Sequence, residues 1–153
     1  MIREKISQAL KDAMRAKDEA KTTTIRMVNA AIKQKDIDVA RARGDREISD
    51  DEVLNLMQSL IKSRRESIEL YKQGGREDLV SKEEAEIAVI EQFLPSQLSE
   101  EDILAAVREI IGSLGASGVK DMGKVMAALK SKYAGQLDMT KASSTVKQAL
   151  SGA

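Results

Sequence analysis

Six lysines but only two acidic residues lie between Ser113 and the C-terminus. The lysines are Lys120, Lys124, Lys130, Lys132, Lys141 and Lys147, and the acids are Asp121 and Asp138. This segment therefore has a net charge of +4, while the rest of the chain has a net charge of −4. A local excess of ammonium groups is one way in which a neutral protein presents a basic patch to phosphate. We expect Lys120, Lys124, Lys130, Lys132 and Lys141 to be the candidate nucleic-acid contacts.

Lys120 and Lys124 stand four residues apart at the expected start of a helix, so their side chains project from one face. Lysine at a helix N-terminus adds to the positive end of the helix dipole, which is unfavourable unless an anion binds there. Gly123 leaves room for a sugar–phosphate backbone to approach. The alternative is that Asp121 and nearby acids compensate the charge and that Gly123 serves only helix packing.

The chain contains neither cysteine nor histidine. Without them a thiolate nucleophile, a histidine-activated nucleophile and the commonest metal ligands cannot be built. The abundant carboxylates lie on charged helix faces, where they usually pair with basic neighbours one turn away. The sequence therefore predicts no catalytic residue, no metal site and no cofactor.

Two other basic stretches have a structural and a functional interpretation. Residues 74–76, Gly-Gly-Arg, could hold a phosphate with backbone amides, but they fit better as the end of one helix and a turn. Charges of both signs also follow one side of the expected third helix: Lys62, Arg65, Glu66, Glu69, Lys72 and Arg76. Because acids lie within pairing distance of the bases, a solvated, salt-bridged face is favoured over an RNA-contacting ridge.

The only proline, Pro95, marks a change in the character of the chain. Proline lacks an amide N–H and disfavours helical geometry in the preceding residue, so a helical pattern that reaches Leu94 should stop there. Ser99, with Asp102 three positions later, resembles the capping box that begins a helix. Long charged helices precede this point, and shorter helices broken by glycines follow it.

We interpret this stretch as a joint between an N-terminal helical region, residues 1–94, and a small helical tail domain, residues 95–153. An ordinary turn within one domain is the alternative. Four residues are expected to form the hinge: Leu94, Pro95, Gln97 and Leu98. Pro95 and Gln97 should fix the angle between the parts, while Leu94 and Leu98 pack at the boundary.

Apolar residues recur at helical spacing throughout, which predicts an all-α fold. The first two helices should span about residues 2–16 and 19–42, the latter ending near Gly44. The charged stretch 33–46 is expected to project into solvent or fray. The third helix should begin at a capping box, Ser49 with Glu52, run to about Gln73 and pack antiparallel against a fourth.

No apolar run approaches the roughly 18 residues of a membrane span. The N-terminal residues also lack the apolar region of a signal peptide. The expectation is a cytoplasmic protein with no membrane partner.

Several stretches of the sequence resemble the YqeY-like family. The most specific are Leu94-Pro95-Ser96-Gln97-Leu98 and, over residues 120–126, Lys-Asp-Met-Gly-Lys-Val-Met. The same module forms the C-terminal part of GatB, a subunit of the glutamine-dependent amidotransferase that acts on misacylated tRNA. The resemblance implies a helical region followed by a tail domain, and a tail that helps to hold tRNA while catalysis occurs elsewhere.

The chain departs from the family pattern after Gly135. Relatives usually continue with a basic residue and an alanine-aspartate-glycine turn, whereas Gln136-Leu137-Asp138-Met139 stands here. If that loop touches RNA in relatives, the resemblance implies weaker binding here.

Three functions compete. The first is a non-catalytic accessory module that contacts tRNA or another protein of the tRNA-charging machinery. The second is a protein-interaction module that docks a partner in an apolar groove between the two parts, or on Met122 and Met126. The third is an amidotransferase-type carbon–nitrogen ligase that uses glutamine as amido-N donor. The residues argue against the third, because no nucleophile with its activating base and no nucleotide site is visible.

Overall fold

A computed structural model describes residues 1–152. Within them the structure has seven α-helices and no strand, which confirms the all-α prediction. The helices are α1 Ile2–Arg15, α2 Glu19–Lys35, α3 Asp50–Gln73, α4 Glu77–Glu91, α5 Glu100–Leu114, α6 Met122–Lys132 and α7 Met139–Ser151. No helix in this part of the chain is both long enough and apolar enough to cross a membrane.

The chain divides into two compact units. The first is Met1–Leu94 and contains α1 to α4, and the second begins at Pro95 and contains α5 to α7. Ala153, the last residue of the predicted tail domain, lies outside the described residues. Each unit has its own apolar core, which is centred on Ile25, Met57 and Ile90 in the first and on Val107 and Leu129 in the second.

Helices α3 and α4 form the hairpin that the sequence predicts. The Ser49 hydroxyl accepts the amide of Glu52 at 3.2 Å, and the Glu52 carboxylate accepts the amide of Ser49 at 3.1 Å, so the capping box is complete. Gly75, with φ of +68°, turns the chain within the three residues between the helices. So short a connection requires the helices to run antiparallel.

The end of α2 differs from the sequence-based expectation. Its α-helical winding gives way to a π-helical turn at Asp36–Ala40 and then to a 3₁₀ turn at Arg41–Arg43. The expectation that residues 33–46 project into solvent or fray holds only in part. Most of their side chains are exposed, but the backbone stays wound as far as Arg43, and the side chains of Asp36 and Ala40 are buried in the first unit. Gly44, with φ of +90°, ends the segment as expected.

A partly buried ion pair stabilises this irregular segment. The Arg3 guanidinium donates two hydrogen bonds to the Asp36 carboxylate, at 2.8 and 3.1 Å, and the Ile48 amide donates a third at 2.8 Å. These donors stabilise the ionised form, with Arg3 the largest influence, and therefore hold the pKa of Asp36 below its usual range. The pair joins α1, the π turn and the residue that precedes the α3 cap.

The residues around Pro95 belong to different cores. α4 ends at Glu91, earlier than the predicted stop at Leu94. Leu94 packs against the first core and Leu98 against the second. Within the second unit, the Leu98 amide donates to the Gln136 carbonyl at 2.9 Å. The Gln97 side-chain amide donates to the Gly135 carbonyl at 2.6 Å.

Replacing Asp36 with Asn should lower the free energy of unfolding of the first unit by about 2–4 kcal/mol at neutral pH. The substitution removes the two short charge-assisted hydrogen bonds of Arg3 and leaves its guanidinium only the longer contact with the exposed Glu47 carboxylate, at 3.6 Å. Since folding lowers the pKa of Asp36, its contribution is complete above the unfolded pKa of about 3.9 and is lost as pH falls through the folded pKa. The measurement is denaturant unfolding of the parent and the variant across pH. Their free energies of unfolding should differ at neutral pH and converge in acid.

The matched control is Asp38→Asn, which removes an exposed carboxylate of the same turn whose one side-chain partner among residues 1–152 is Gln34. If the two variants lose the same stability, or if the Asp36 effect does not depend on pH, the ion pair is not what stabilises this segment.

Replacing Leu98 with Asp should loosen the second unit, because the substitution places an unpaired charge against its core. Limited proteolysis should then show added cleavage between about residues 95 and 115. The control is Leu114→Asp, at a side chain that is 51% exposed. Equal cleavage of the two variants would mean that Leu98 does not anchor the tail.

Candidate nucleic-acid interface

Lys120 and Lys124 lie at the start of α6, both exposed to solvent. Lys120 belongs to the 3₁₀ turn Val119–Asp121, and Lys124 is the third residue of α6. Neither forms an ion pair with any of residues 1–152. Their ammonium groups are therefore available to an external anion.

Asp121 does not pair with these lysines. Its carboxylate accepts the backbone amide of Ser117 at 3.0 Å and so holds the loop before α6. The first turn of α6 contains no acidic residue. The structure therefore shows no neighbouring acid, among the described residues, that pairs with either lysine and compensates its charge.

Gly123 faces open space. Apart from its two chain neighbours and the nearby backbone of α6 itself, no described residue has an atom within 4 Å of the position that a Cβ would occupy there. Packing within the chain does not require a glycine at this position, so the interpretation that it serves only helix packing loses its support. The backbone at the start of α6 remains open to close approach.

The three other candidate lysines have different surroundings. The Lys132 ammonium pairs with Glu109 of α5 at 3.0 Å, and this hydrogen bond raises the pKa of Lys132. Lys141 lies 3.7 Å from the Glu100 carboxylate, also on α5. Lys130 is exposed, but six residues after Lys124 it projects about 120° away around the helix. The five candidates therefore do not form one continuous basic surface.

The residues that depart from the family pattern have structural roles in this chain. The Gln136 carbonyl receives the Leu98 amide, and Leu137 is buried in the second core. The Asp138 carboxylate accepts the amides of Thr140 and Lys141 and so caps α7. Met139 is the first residue of that helix.

The basic stretches of the first unit contain ion pairs. Arg65 pairs with Glu91 of α4 at 3.3 Å, and Arg76 pairs with Asp78 at 3.0 Å. These contacts favour the salt-bridged interpretation of this face. Because Gly74 is the C-cap of α3 and the Arg76 side chain is engaged with Asp78, residues 74–76 are better described as a helix end and a turn.

Sequence reasoning missed Arg64, whose side chain is only 15% exposed. Its guanidinium donates to the Glu86 carboxylate on α4 and to its own helix at the Leu60 carbonyl, each at 3.0 Å. It also contacts the sulfur of Met27 at 3.5 Å. Helical spacing places Arg64 between the buried Ile61 and Ile68, a signal that could have identified it.

Two observations bear on the protein-docking alternative. Met122 and Met126 are half-buried against the second core, so their side chains are not a free docking surface. A groove of about 570 Å³ does lie between α2 and α4, with Ala20, Thr24, Ala85 and Val89 among its lining residues. This groove lies within the first unit and was not predicted from the sequence, which indicated a groove only between the two parts of the chain. Among residues 1–152 no group of acidic side chains is placed to hold a metal ion.

Comparison with known proteins identifies relatives. A family model described as Yqey-like protein matches residues 3–150. The chain is 32% identical over 151 residues to altered inheritance of mitochondria protein 41, mitochondrial, of Eremothecium gossypii, an alignment that covers 97% of this chain and 80% of the relative. Proteins of the same name from Vanderwaltozyma polyspora and Lachancea thermotolerans are each 38% identical, over 91 and 112 residues, which is 47% and 57% of their own length. The matched segment thus spans about half of these two relatives.

The fold and the candidate site define an all-helical protein of two compact units, the second of which has exposed lysines at the start of α6. The chain belongs to the YqeY-like family, as the resemblance in its sequence implied.

The expectation of a cytoplasmic protein is contradicted by the comparisons. The relatives from all three fungi are named as mitochondrial proteins. The expectation rested on the absence of an apolar leader, a feature that does not discriminate between these compartments, because mitochondrial targeting segments are amphipathic.

Proposed function

We propose that this protein is a non-catalytic accessory module that contacts tRNA through Lys120 and Lys124 at the start of α6. The partner would be tRNA itself, alone or together with a protein of the tRNA-charging machinery. The relatives' names refer to the inheritance of mitochondria, so the tRNA contact is a proposal for this chain.

The observation that carries the proposal is the difference between two pairs of lysines. Lys120 and Lys124 are exposed and have no acidic partner among the described residues, whereas Lys132 and Lys141 pair with Glu109 and Glu100. A paired lysine must give up its carboxylate before it can neutralise a phosphate. The open backbone at Gly123 places the unpaired lysines where a sugar–phosphate chain could approach closely.

Replacing Lys120 and Lys124 together with Ala should weaken tRNA binding and flatten its salt dependence. Each phosphate contact that is lost lowers the slope of log affinity against log salt by about one, so the double variant should lose about two. The measurement is tRNA binding by fluorescence anisotropy across a salt series.

The matched control is Lys132→Ala with Lys141→Ala, which removes the same formal charge from lysines that already have partners. Its slope should change less. If the parent does not bind tRNA at low salt, or if the two double variants behave alike at every salt concentration, the start of α6 is not a specific RNA contact.

The isolated protein should not hydrolyse glutamine. Amide hydrolysis needs a nucleophile with an activating base, and a thiolate or a histidine-activated nucleophile cannot be built because the chain has no cysteine and no histidine. The measurement is ammonia release from glutamine, with an authentic glutaminase as the positive control. Turnover that survives repurification and disappears on a single substitution in this chain would replace the accessory-module proposal with an enzymatic one.

A further inference from the structure

A second charged site lies in the first unit, beside the π-helical turn. It is a cavity of about 460 Å³ whose walls include three cations, Lys33, Arg41 and Arg46, together with Ile37. Three carboxylates, Asp36, Asp45 and Glu47, complete the lining. This cavity shares no residue with the lysines of α6.

Each carboxylate of the cavity is engaged by an arginine that does not line it. Asp36 accepts two hydrogen bonds from Arg3, and Asp45 pairs with Arg43 at 2.6 Å. Glu47 lies 3.6 Å from the Arg3 guanidinium. The acids of the wall are therefore held by partners outside the cavity.

The three cations of the cavity are not engaged in this way. Lys33, Arg41 and Arg46 are exposed, and none forms an ion pair with the residues that the structure describes. Arg41 nevertheless lies close enough to Asp36 for its charge to help lower the pKa of that carboxyl. Guanidinium groups present paired N–H donors that match phosphate oxygens, whereas a lysine contributes a point charge.

The wider neighbourhood is close to neutral. The positive charges number five: those of the three free cations, Arg3 and Arg43. The negative charges number four: those of Asp36, Asp45, Glu47 and Glu52. The net charge of this group is therefore +1. Long-range attraction of an anion is therefore small, and binding must depend on direct contact with the free cations. We expect a weak site that is sensitive to each arginine.

Ile37 gives the cavity an apolar side. Its side chain is 49% exposed, although it lies in the π turn between the buried Asp36 and the partly buried Val39. A bare inorganic anion would leave this surface in water. A ligand with an apolar body next to its charged group would cover it.

We propose that this cavity binds a small organic phosphate, with its phosphate group held by Arg41, Arg46 and Lys33 and its apolar part against Ile37. π-Helical turns occur frequently at functional sites. This turn carries Ile37, and the two arginines of the cavity, Arg41 and Arg46, follow it in the chain. The proposal is independent of the tRNA contact, since it concerns other residues in the other unit.

The probes are phenyl phosphate, which combines a phosphate with an apolar ring, and inorganic phosphate, which does not. Backbone amide shifts in the NMR spectrum of the full chain report binding at each residue. Phenyl phosphate should produce saturable shifts confined to about residues 33–47, and it should bind several-fold more tightly than inorganic phosphate.

Three variants test the roles assigned. Arg41→Gln with Arg46→Gln should weaken the binding of both probes, by roughly tenfold for each charge-assisted hydrogen-bond partner removed. Ile37→Ala should reduce the preference for phenyl phosphate and leave inorganic phosphate unchanged. The matched control, Arg26→Gln with Arg108→Gln, removes two exposed arginines outside the cavity and should bind both probes like the parent.

Shifts spread over basic residues throughout the chain, or equal weakening in the control, would show non-specific ion binding and overturn the proposal. So would equal affinity for the two probes. A further arm titrates tRNA into the same variants. If Arg41→Gln with Arg46→Gln flattens the salt dependence of tRNA binding while phenyl phosphate causes no saturable shift, the cavity contacts RNA and the small-molecule assignment is wrong.

Discussion

The first unit depends on one buried carboxylate and its donors. Asp36 is 8% exposed, and its charge is stabilised by the Arg3 guanidinium and the Ile48 amide. These three residues are far apart in the chain. Arg3 lies at the start of α1, Asp36 follows the end of α2, and Ile48 immediately precedes Ser49, the cap of α3. Removing Arg3 would cost more than the pair itself contributes, because the Asp36 charge would stay buried without its ionic partner. The contact therefore specifies which ends of the helices meet.

This contact also explains where sequence reasoning failed. The capping boxes, the glycine turns and the apolar stripes are encoded by residues within one or two turns of each other, and they gave α3 its bounds to within a residue. Asp36 cannot be recognised in that way. It lies among residues that are nearly all charged or small, and its partner Arg3 is 33 positions away. Nothing local distinguishes it from Asp38, two residues later, which is exposed and accepts hydrogen bonds from Gln34.

The candidate interface was predictable in composition but not in geometry. Counting charged residues identified a segment, from Ser113 onward, with a net charge of +4. The four-residue spacing of Lys120 and Lys124 placed these two side chains on one face of a helix. The count could not show which lysines have partners, because Glu100 and Glu109 lie on the preceding helix, outside the segment counted. From Pro95 onward there are seven basic and six acidic residues, so the second unit carries only +1. Folding therefore pairs part of the charge excess that the segment shows by itself.

Near-neutral charge has a consequence for how any phosphate could bind. At physiological ionic strength the field of a charge is screened beyond about 8 Å, so an approaching anion responds to local groups and not to the total. The same arrangement occurs in both units. Some of the cations form ion pairs with carboxylates, and other cations nearby form none with the described residues. Lys120 with Lys124, and Arg41 with Arg46, are among the cations that form no ion pair with the described residues. Specificity in such a protein depends on which ion pairs the fold forms, because these decide which of 25 basic side chains remain available.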